Sequence, residues 1–153
     1  MIALKRILVP TDFSEPSGVA VKYAKAFAEA FGAALHVVHV LEDPFTVMPA
    51  EGYMPPPQFL QDMEKTARQR LNEVLSAAER DKLHAELVTL RGSPFVEIVR
   101  YAKQHEIDLI VMGTHGRGPI AHMLMGSVAE RVVRKAPCPV LTVRNPEHEF
   151  VMP

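Results

Sequence analysis

Short runs of apolar, often β-branched residues alternate with longer segments of helical periodicity along the chain. Five such runs predict strands at Leu4–Val9, Ala34–Val40, Leu87–Leu90, Asp108–Met112 and Pro139–Val143. The Asp108–Met112 run lacks polar alternation, which is typical of a strand covered on both faces. On the second strand, His36 and His39 are interpreted as ordinary packing or surface residues.

Four helices are predicted between these strands. The first begins at an N-cap, Ser14, and ends at Gly32. A long amphipathic helix follows from apolar residues spaced three and four apart between Leu60 and Ala78. The third helix opens at Ser93-Pro94, because proline suits the first helical position, and the fourth spans Ser127–Lys135.

This order of elements predicts a single α/β domain. Strands separated by helices form βα repeats, which build a mainly parallel sheet with right-handed crossovers. A length of 153 residues fits one domain, and 48 % apolar with 23 % charged residues is an ordinary globular composition. We assign residues 1–145 to the domain and residues 146–153 to a C-terminal tail.

Charge and cysteine content exclude several classes of protein. Seventeen basic and eighteen acidic side chains give a formal charge of −1, which removes the electrostatic case for binding nucleic acid or anionic membranes. The single cysteine, Cys138, excludes an internal disulfide and is expected to be a small buried apolar residue. Neither a signal peptide nor a membrane span is recognisable, so we expect a cytoplasmic protein.

One irregular stretch, Glu42–Pro57, contains five prolines and is too rich in proline for a helix or a central strand. Connections of this length are usually functional or mobile. Two interpretations therefore stay open, a plain surface loop and a lid over a ligand.

Glycine is unevenly distributed. Four of the eight glycines, Gly113, Gly116, Gly118 and Gly126, fall within fourteen consecutive residues between a predicted strand and a predicted helix. Ligands bind at the carboxyl ends of parallel strands, and a helix N-terminus there offers unpaired N–H groups to an anion. Because glycine lets the backbone approach a ligand closely, the cluster predicts an anion site, with phosphate as the favoured anion.

Two common phosphate motifs are excluded. Gly113 and Gly118 have the spacing of a Walker A loop, but Pro119-Ile120 replace the required Lys-Ser/Thr. The Gly116-x-Gly118-x-x-Ala121 pattern resembles a dinucleotide fingerprint, but it contains a proline and no acidic residue follows at the distance needed to hold a ribose.

The pattern that remains is Gly-x₂-Gly-x₉-Gly-Ser, from Gly113 through Gly116 to Gly126-Ser127. With this pattern the chain resembles the universal stress protein family, specifically its ATP-binding branch. Further matches, in order, are Ile7–Ser14, His39-Val40 and Pro137–Val143. The resemblance covers almost the whole chain and implies an open, Rossmann-like five-stranded parallel sheet in the order 3-2-1-4-5 with helices on both faces.

The resemblance also implies an ATP site at the topological switch between the first and fourth strands. Adenine would lie against backbone near Pro10-Thr11 and Val40, and Asp12 would accept hydrogen bonds from ribose hydroxyls. Mg²⁺ or Mn²⁺ would bridge the phosphates, with no protein ligand assigned to the metal and no catalytic residue assigned. The implied nucleotide-binding residues are Pro10, Thr11, Asp12, Val40, Met112, Gly113, His115, Gly116, Arg117, Gly126, Ser127 and Val128.

Several of these residues have a structural alternative that the sequence leaves open. Ser127-x-x-Glu130 has the pattern of a capping box, and Asp12 is also suited to cap the first helix. His115 either donates to phosphate or is simply solvated. Arg117 either screens the phosphates or is an ordinary surface residue.

Three functions fit the sequence, and a nucleotide-dependent regulatory protein of the stress response is favoured. The glycine segment supplies backbone donors but neither a lysine clamp nor an evident general base, which argues against an efficient ATP hydrolase or nucleotidyl transferase. Intact glycine spacing argues against a nucleotide-free interaction protein. The resemblance implies a homodimer through the fifth strand, Pro139–Val143, whose exposed edge favours pairing; the signalling partner is not identified.

Overall fold

A five-stranded parallel sheet forms the centre of the protein. The structure is a computed structural model that describes residues 1–43, 54–114 and 125–144. All described strand pairings are parallel, in the order β3-β2-β1-β4-β5, which confirms the predicted fold class and strand order. The strands are β1 (Arg6–Pro10), β2 (Ala34–Leu41), β3 (Glu86–Arg91), β4 (Leu109–Gly113) and β5 (Val140–Val143).

Helices cover both faces of this sheet. In the described part of the chain they are α1 (Glu15–Phe31), α2 (Pro57–Val74), α3 (Ala77–Lys82), α4 (Pro94–Gln104) and α5 (Ser127–Lys135). Successive strand residues point to opposite faces. Val9 and Val37 therefore join the core cluster under α1 and α2, whereas Leu8, Val38 and Ile110 join the cluster under α4 and α5.

The first helix begins and ends as its sequence predicts. Ser14 is the N-cap and its side chain accepts a hydrogen bond from the Ser17 backbone N–H, while Pro16 occupies the first turn. Gly32 ends the helix in the left-handed conformation, with φ 65°. Glycine adopts this conformation without a Cβ clash, and its N–H bonds back to the Ala28 carbonyl.

The predicted long helix between Leu60 and Ala78 is wrong, because it is divided in two. α2 ends at Val74, and Leu75 is extended with φ −126° and ψ 140°. Ser76 then caps α3 in a complete capping box with Glu79. Leu75 is 1 % exposed, so its burial in the core continues the apolar spacing across a break in the helix.

A carboxylate joins the start of β1 to the turn before β4. Asp108 was predicted to begin the fourth strand, but β4 begins at Leu109. The Asp108 carboxylate instead accepts backbone hydrogen bonds from Lys5 at 2.7 Å and Arg6 at 2.9 Å. This side chain aligns the amino ends of the two central strands.

The cysteine is less buried than expected. Cys138 is half-buried and packs against the core cluster under α4 and α5. Burial, helped by the nearby Asp108 carboxylate, raises the pKa of its thiol. A raised pKa lowers the thiolate fraction and makes this thiol less reactive, which agrees with a packing role.

Two segments of interest lie largely outside the described residues. Residues 44–53 of the proline-rich stretch and the tail 146–153 belong to this group, so the lid interpretation is untested. Pro57 is described, and it occupies the first position of α2. Within the described ranges, no helix is both long and apolar enough to cross a membrane.

Candidate functional site

The sheet divides between β1 and β4 at its carboxyl end. The described pairing of these two strands ends with Leu8 opposite Ile110. β1 stays paired with β2 as far as Pro10, and β4 stays paired with β5 as far as Gly113. From β1 the chain adds β2 and β3 on one side of the sheet and β4 and β5 on the other side. The gap between β1 and β4 is therefore the topological switch, the place where open α/β sheets bind ligands.

Three of the predicted binding residues share one apolar cluster beside this division. Met112, on β4, is 6 % exposed and belongs to the core under α4 and α5. Val40, on β2, and Val128, on α5, are partly buried against the same cluster. Residues from three elements thus pack together near the strand ends, and ligand pockets are lined mostly by apolar side chains with a few polar groups among them.

Thr11 is held in place by β2 and α1. Its backbone N–H donates to the Val38 carbonyl at 2.8 Å, and its hydroxyl lies 3.1 Å from the Ser17 hydroxyl. The same hydroxyl oxygen accepts the Phe13 N–H at 3.1 Å, and the Thr11 carbonyl is 2.8 Å from Nδ1 of His39. Thr11 is 6 % exposed, so it serves the site as the anchor of the turn after β1.

Asp12 is half-buried in this turn and is not the cap of α1, so its capping alternative is wrong. Its Oδ1 accepts hydrogen bonds from the Ser14 backbone N–H at 3.0 Å and from the Ser14 hydroxyl. Ser14 itself caps α1. This Asx turn fixes the carboxylate beside the carboxyl end of β1, where the predicted ribose contact requires an acceptor.

Gly113 has a packing reason to lack a side chain. A Cβ at this position would lie 3.0 Å from the carbonyl oxygen of Pro16 and 3.1 Å from its carbonyl carbon. The first turn of α1 therefore approaches the end of β4 more closely than most side chains would allow at residue 113. This contact favours glycine independently of any ligand, so the glycine spacing alone does not identify a phosphate contact here.

The predicted capping box at the start of α5 is not formed. The N-cap is Gly126, Ser127 is the first helical residue, and the helix has no side-chain cap hydrogen bond. Glu130 instead pairs with Arg134, at 2.9 Å, one turn further along the helix. The structural alternative for the Ser127 hydroxyl is therefore wrong, and this hydroxyl is exposed at the helix N-terminus.

Backbone donors at this helix end fall into two groups. The Gly126 N–H donates to the Thr114 carbonyl, and the Thr114 N–H donates to Val143 at 2.9 Å, which ties the helix start to the end of β5. The N–H groups of Ser127 and Val128 lie in the first turn, where helix geometry provides no intrahelical acceptor. The second group is suited to an anion, and the first is already used by the fold.

Three of the predicted contacts, His115, Gly116 and Arg117, lie outside the described residues. The other nine occupy the strand ends and the start of α5. In the described ranges, no group of three or more His, Cys, Asp and Glu side chains is arranged to hold a metal ion.

The sequence analysis missed a group of stacked side chains behind the turn. The Phe13 ring lies 4.4 Å from the His39 ring, centroid to centroid, and the Arg70 guanidinium carbon is 4.4 Å from the Phe13 centroid. Phe13 has φ 63°, which side-chain-bearing residues rarely adopt. One feature of the sequence could have indicated the contact between His39 and this turn. His39 lies beside Val40 at the end of a strand, where a polar side chain can reach the turn that follows the neighbouring strand.

Comparison with known proteins identifies the family of the chain. Residues 3–144 match the profile of the Universal stress protein family. Universal stress protein MJ0531 of Methanocaldococcus jannaschii is 40 % identical over 149 residues, covering 95 % of this chain and 85 % of that protein.

Solved structures show the same similarity. Universal stress protein UspA from Lactobacillus plantarum superposes with a TM-score of 0.73 at 30 % identity, over 94 % of this chain and 100 % of that one. A universal stress protein solved in complex with cAMP has a TM-score of 0.67 at 25 % identity, over 93 % and 98 % of the two chains. The chain belongs to the universal stress protein family.

Proposed function

We propose that this protein binds an adenine nucleotide, ATP with Mg²⁺ or Mn²⁺, between β1 and β4, and that the bound nucleotide regulates its role in a stress response. The observation that carries the proposal is the division of the sheet at its topological switch. There β1 and β4 separate from each other, while β1 stays paired with β2 and β4 stays paired with β5. The relative solved with cAMP supports an adenine nucleotide as the ligand class.

The nucleoside half of the ligand would contact the strand ends. Pro10, Val40 and Met112 offer apolar surface to the adenine ring. Asp12, fixed by its Asx turn, accepts hydrogen bonds from the ribose hydroxyls. Thr11 keeps these groups in register through its bonds to β2 and α1.

The phosphate half would lie at the N-terminus of α5. The N–H groups of Ser127 and Val128, which have no acceptor within the helix, and the positive end of the helix dipole would stabilise negative charge there, and the Ser127 hydroxyl adds a donor. Divalent cations would take their ligands from phosphate oxygens and water. The remaining proposed contacts are Gly113, His115, Gly116, Arg117 and Gly126, the last through close backbone approach since its N–H is bonded to the Thr114 carbonyl.

A binding role is favoured over catalysis. Phosphoryl transfer depends on concentrated positive charge and on a group that orients the nucleophile. Asp12, in the turn after β1, is bound to Ser14 through Oδ1 and is assigned to the ribose end. Slow ATP hydrolysis is the alternative that activity measurements address, and a nucleotide-free interaction protein is the alternative that binding measurements address.

In the described part of the chain β5 lies at an edge of the sheet, and this edge position supports a homodimer. Ile110 and Thr114 donate backbone hydrogen bonds to Pro139 and Val143, so every second residue of this segment faces β4. The alternate residues, Val140 and Thr142, direct their backbone N–H and C=O groups away from β4. A second copy of the chain would pair with these groups along the strand edge.

Thermal unfolding with and without nucleotide tests the proposal. Protein stripped of nucleotide is expected to melt at a higher temperature with Mg-ATP, because a ligand that binds only the folded state stabilises it. The same sample, assayed for ADP over several hours, separates a binding protein from a hydrolase. An unchanged melting temperature at millimolar Mg-ATP, with no nucleotide released from freshly purified protein on denaturation, would contradict the proposal.

A further inference from the structure

Three elements meet at the turn that follows β1. Phe13 has the left-handed φ of 63°, which its Cβ disfavours, so neighbouring contacts must hold this backbone conformation. His39 of β2 and Arg70 of α2 both contact the Phe13 ring, each at 4.4 Å. The Thr11 hydroxyl accepts the Phe13 N–H at 3.1 Å. The turn is thus supported from the side of the sheet that α1 and α2 cover.

The hydrogen bond between His39 and Thr11 has a defined direction. Nδ1 of His39 lies 2.8 Å from the Thr11 carbonyl oxygen. A carbonyl oxygen only accepts, so Nδ1 carries the hydrogen and donates it. One imidazole therefore contacts residue 11 by a hydrogen bond and residue 13 by ring stacking, and Asp12 lies between the two contacts.

His39 acts from behind the proposed site. Neighbouring residues of a strand point to opposite faces of the sheet, so the His39 side chain points away from the face to which Val40 contributes. Its hydrogen bond reaches the turn at the backbone carbonyl of Thr11. This placement separates His39 from residues that would touch a ligand directly.

We propose that His39 is a positioning residue for the nucleoside end of the site. Its Nδ1–H bond to Thr11 fixes the turn so that Asp12 presents its carboxylate before the ligand arrives. Pre-ordering removes the entropy loss that a mobile turn would suffer on binding. This inference rests on the proposed adenine nucleotide site and names the group that prepares it.

Two substitutions separate the effects of the two His39 contacts, the hydrogen bond to Thr11 and the ring contact with Phe13. His39→Phe keeps a ring against Phe13 and removes the donor. His39→Asn keeps a donor at the same distance along the side chain as Nδ1 and removes the ring. Titration calorimetry with adenosine, AMP and Mg-ATP would measure affinity, and urea unfolding of the same samples would measure stability.

We expect His39→Phe to bind all three ligands about tenfold more weakly, since one ordering hydrogen bond is lost. His39→Asn is expected to stay within about threefold of the wild type while losing more stability, because the stacking contact is gone. The effect on adenosine and on ATP should be equal because the turn contacts the nucleoside, which both ligands contain. If His39→Phe does not fold, His39→Leu is a second variant without the donor and carries the same expectation.

Three results would overturn the inference. Affinity of His39→Phe equal to that of the wild type would show that the hydrogen bond does not serve binding. Affinity that falls in step with stability in both variants would show a structural role only. A loss confined to Mg-ATP would place the effect at the phosphates. If the wild-type protein binds none of the three ligands, the proposed function itself fails, and this inference fails with it.

Discussion

Nδ1 of His36, on β2, lies 2.8 Å from the phenolic oxygen of Tyr101, on α4, inside the core beneath that helix. His36 and Tyr101 are 4 % exposed each, and His105 stacks on the outer face of the tyrosine at 3.9 Å. Burial lowers the pKa of His36, with Glu86 opposing the shift and with His105 and Arg6 adding to it. The fold therefore favours the neutral form of this imidazole.

A lowered histidine pKa makes stability depend on pH in a defined direction. Below the ordinary value of 6.5, the unfolded chain binds a proton on His36 more readily than the folded protein does. The free energy of unfolding should therefore decrease as the pH falls from about 7 to about 5. Urea unfolding across this range measures it. His36→Gln should flatten the slope, whereas the exposed control His105→Gln should keep most of it; equal slopes in wild type and His36→Gln would contradict the assignment.

Two N-cap serines allow a matched test of the break between α2 and α3. Ser76 makes a complete capping box with Glu79, whereas Ser93 caps α4 without a side-chain hydrogen bond. Ser76→Ala should lower the free energy of unfolding by about 1 kcal/mol and the melting temperature by roughly 2–4 °C. Ser93→Ala should have little effect. Equal losses at the two positions would show that the box does not stabilise α3.

The break at Ser76 also shows what sequence reasoning missed in the fold. Apolar spacing and capping signals predicted the alternation of strands and helices and both ends of α1, because these depend on local sequence, whereas the strand order came from the family resemblance. The same spacing continued through Leu75, since that residue is buried whether it is helical or extended. Only the Ser76-x-x-Glu79 pattern distinguishes one helix from two.

Two glycines test whether Gly113 is required by packing. A Cβ on Gly113 would lie 3.0 Å from the Pro16 carbonyl oxygen, whereas one on Gly18, exposed in α1, would meet nothing within 4 Å. Gly113→Ala should destabilise the protein by about 1–3 kcal/mol in the absence of nucleotide. Gly18→Ala should stabilise it by about 0.5–1 kcal/mol. If chemical unfolding shows that Gly113→Ala is as stable as the wild type, packing against Pro16 does not explain this glycine, and ligand binding is the reason that remains.

The sequence led to a proposed place for the site but not to its contacts. Strand ends and a helix start indicate that place, because parallel strands present their carboxyl ends at one edge. The sequence did not reveal that Pro16 lies against Gly113, that Gly126 donates to Thr114, or that His39 reaches the Thr11 carbonyl. Each is a contact between distant segments, which spacing along the chain does not encode.

The outer edge of β5, the last strand of the described sheet, offers a test of the homodimer. Thr142 directs its N–H away from β4, so Thr142→Pro removes no bond to β4 but removes a donor from the outer edge. Light scattering should report a dimer for the wild type and a monomer for Thr142→Pro, with Thr142→Val remaining dimeric. A dimer that survives Thr142→Pro would place the interface elsewhere, and a monomeric wild type would contradict the dimer altogether.

Calorimetric titration of nucleotide-free protein tests the central claim most directly, with Asp12→Asn and Ser127→Ala beside the wild type. Asparagine keeps the Oδ1 acceptor that Ser14 uses, and Ser127 makes no cap bond, so both variants should remain folded. The account predicts one Mg-ATP site per chain. Asp12→Asn should weaken adenosine and ATP alike, and Ser127→Ala should weaken ATP about three- to tenfold while sparing adenosine. If neither adenosine nor Mg-ATP gives binding heat with the wild-type protein, at millimolar concentration and at two temperatures, the account is contradicted.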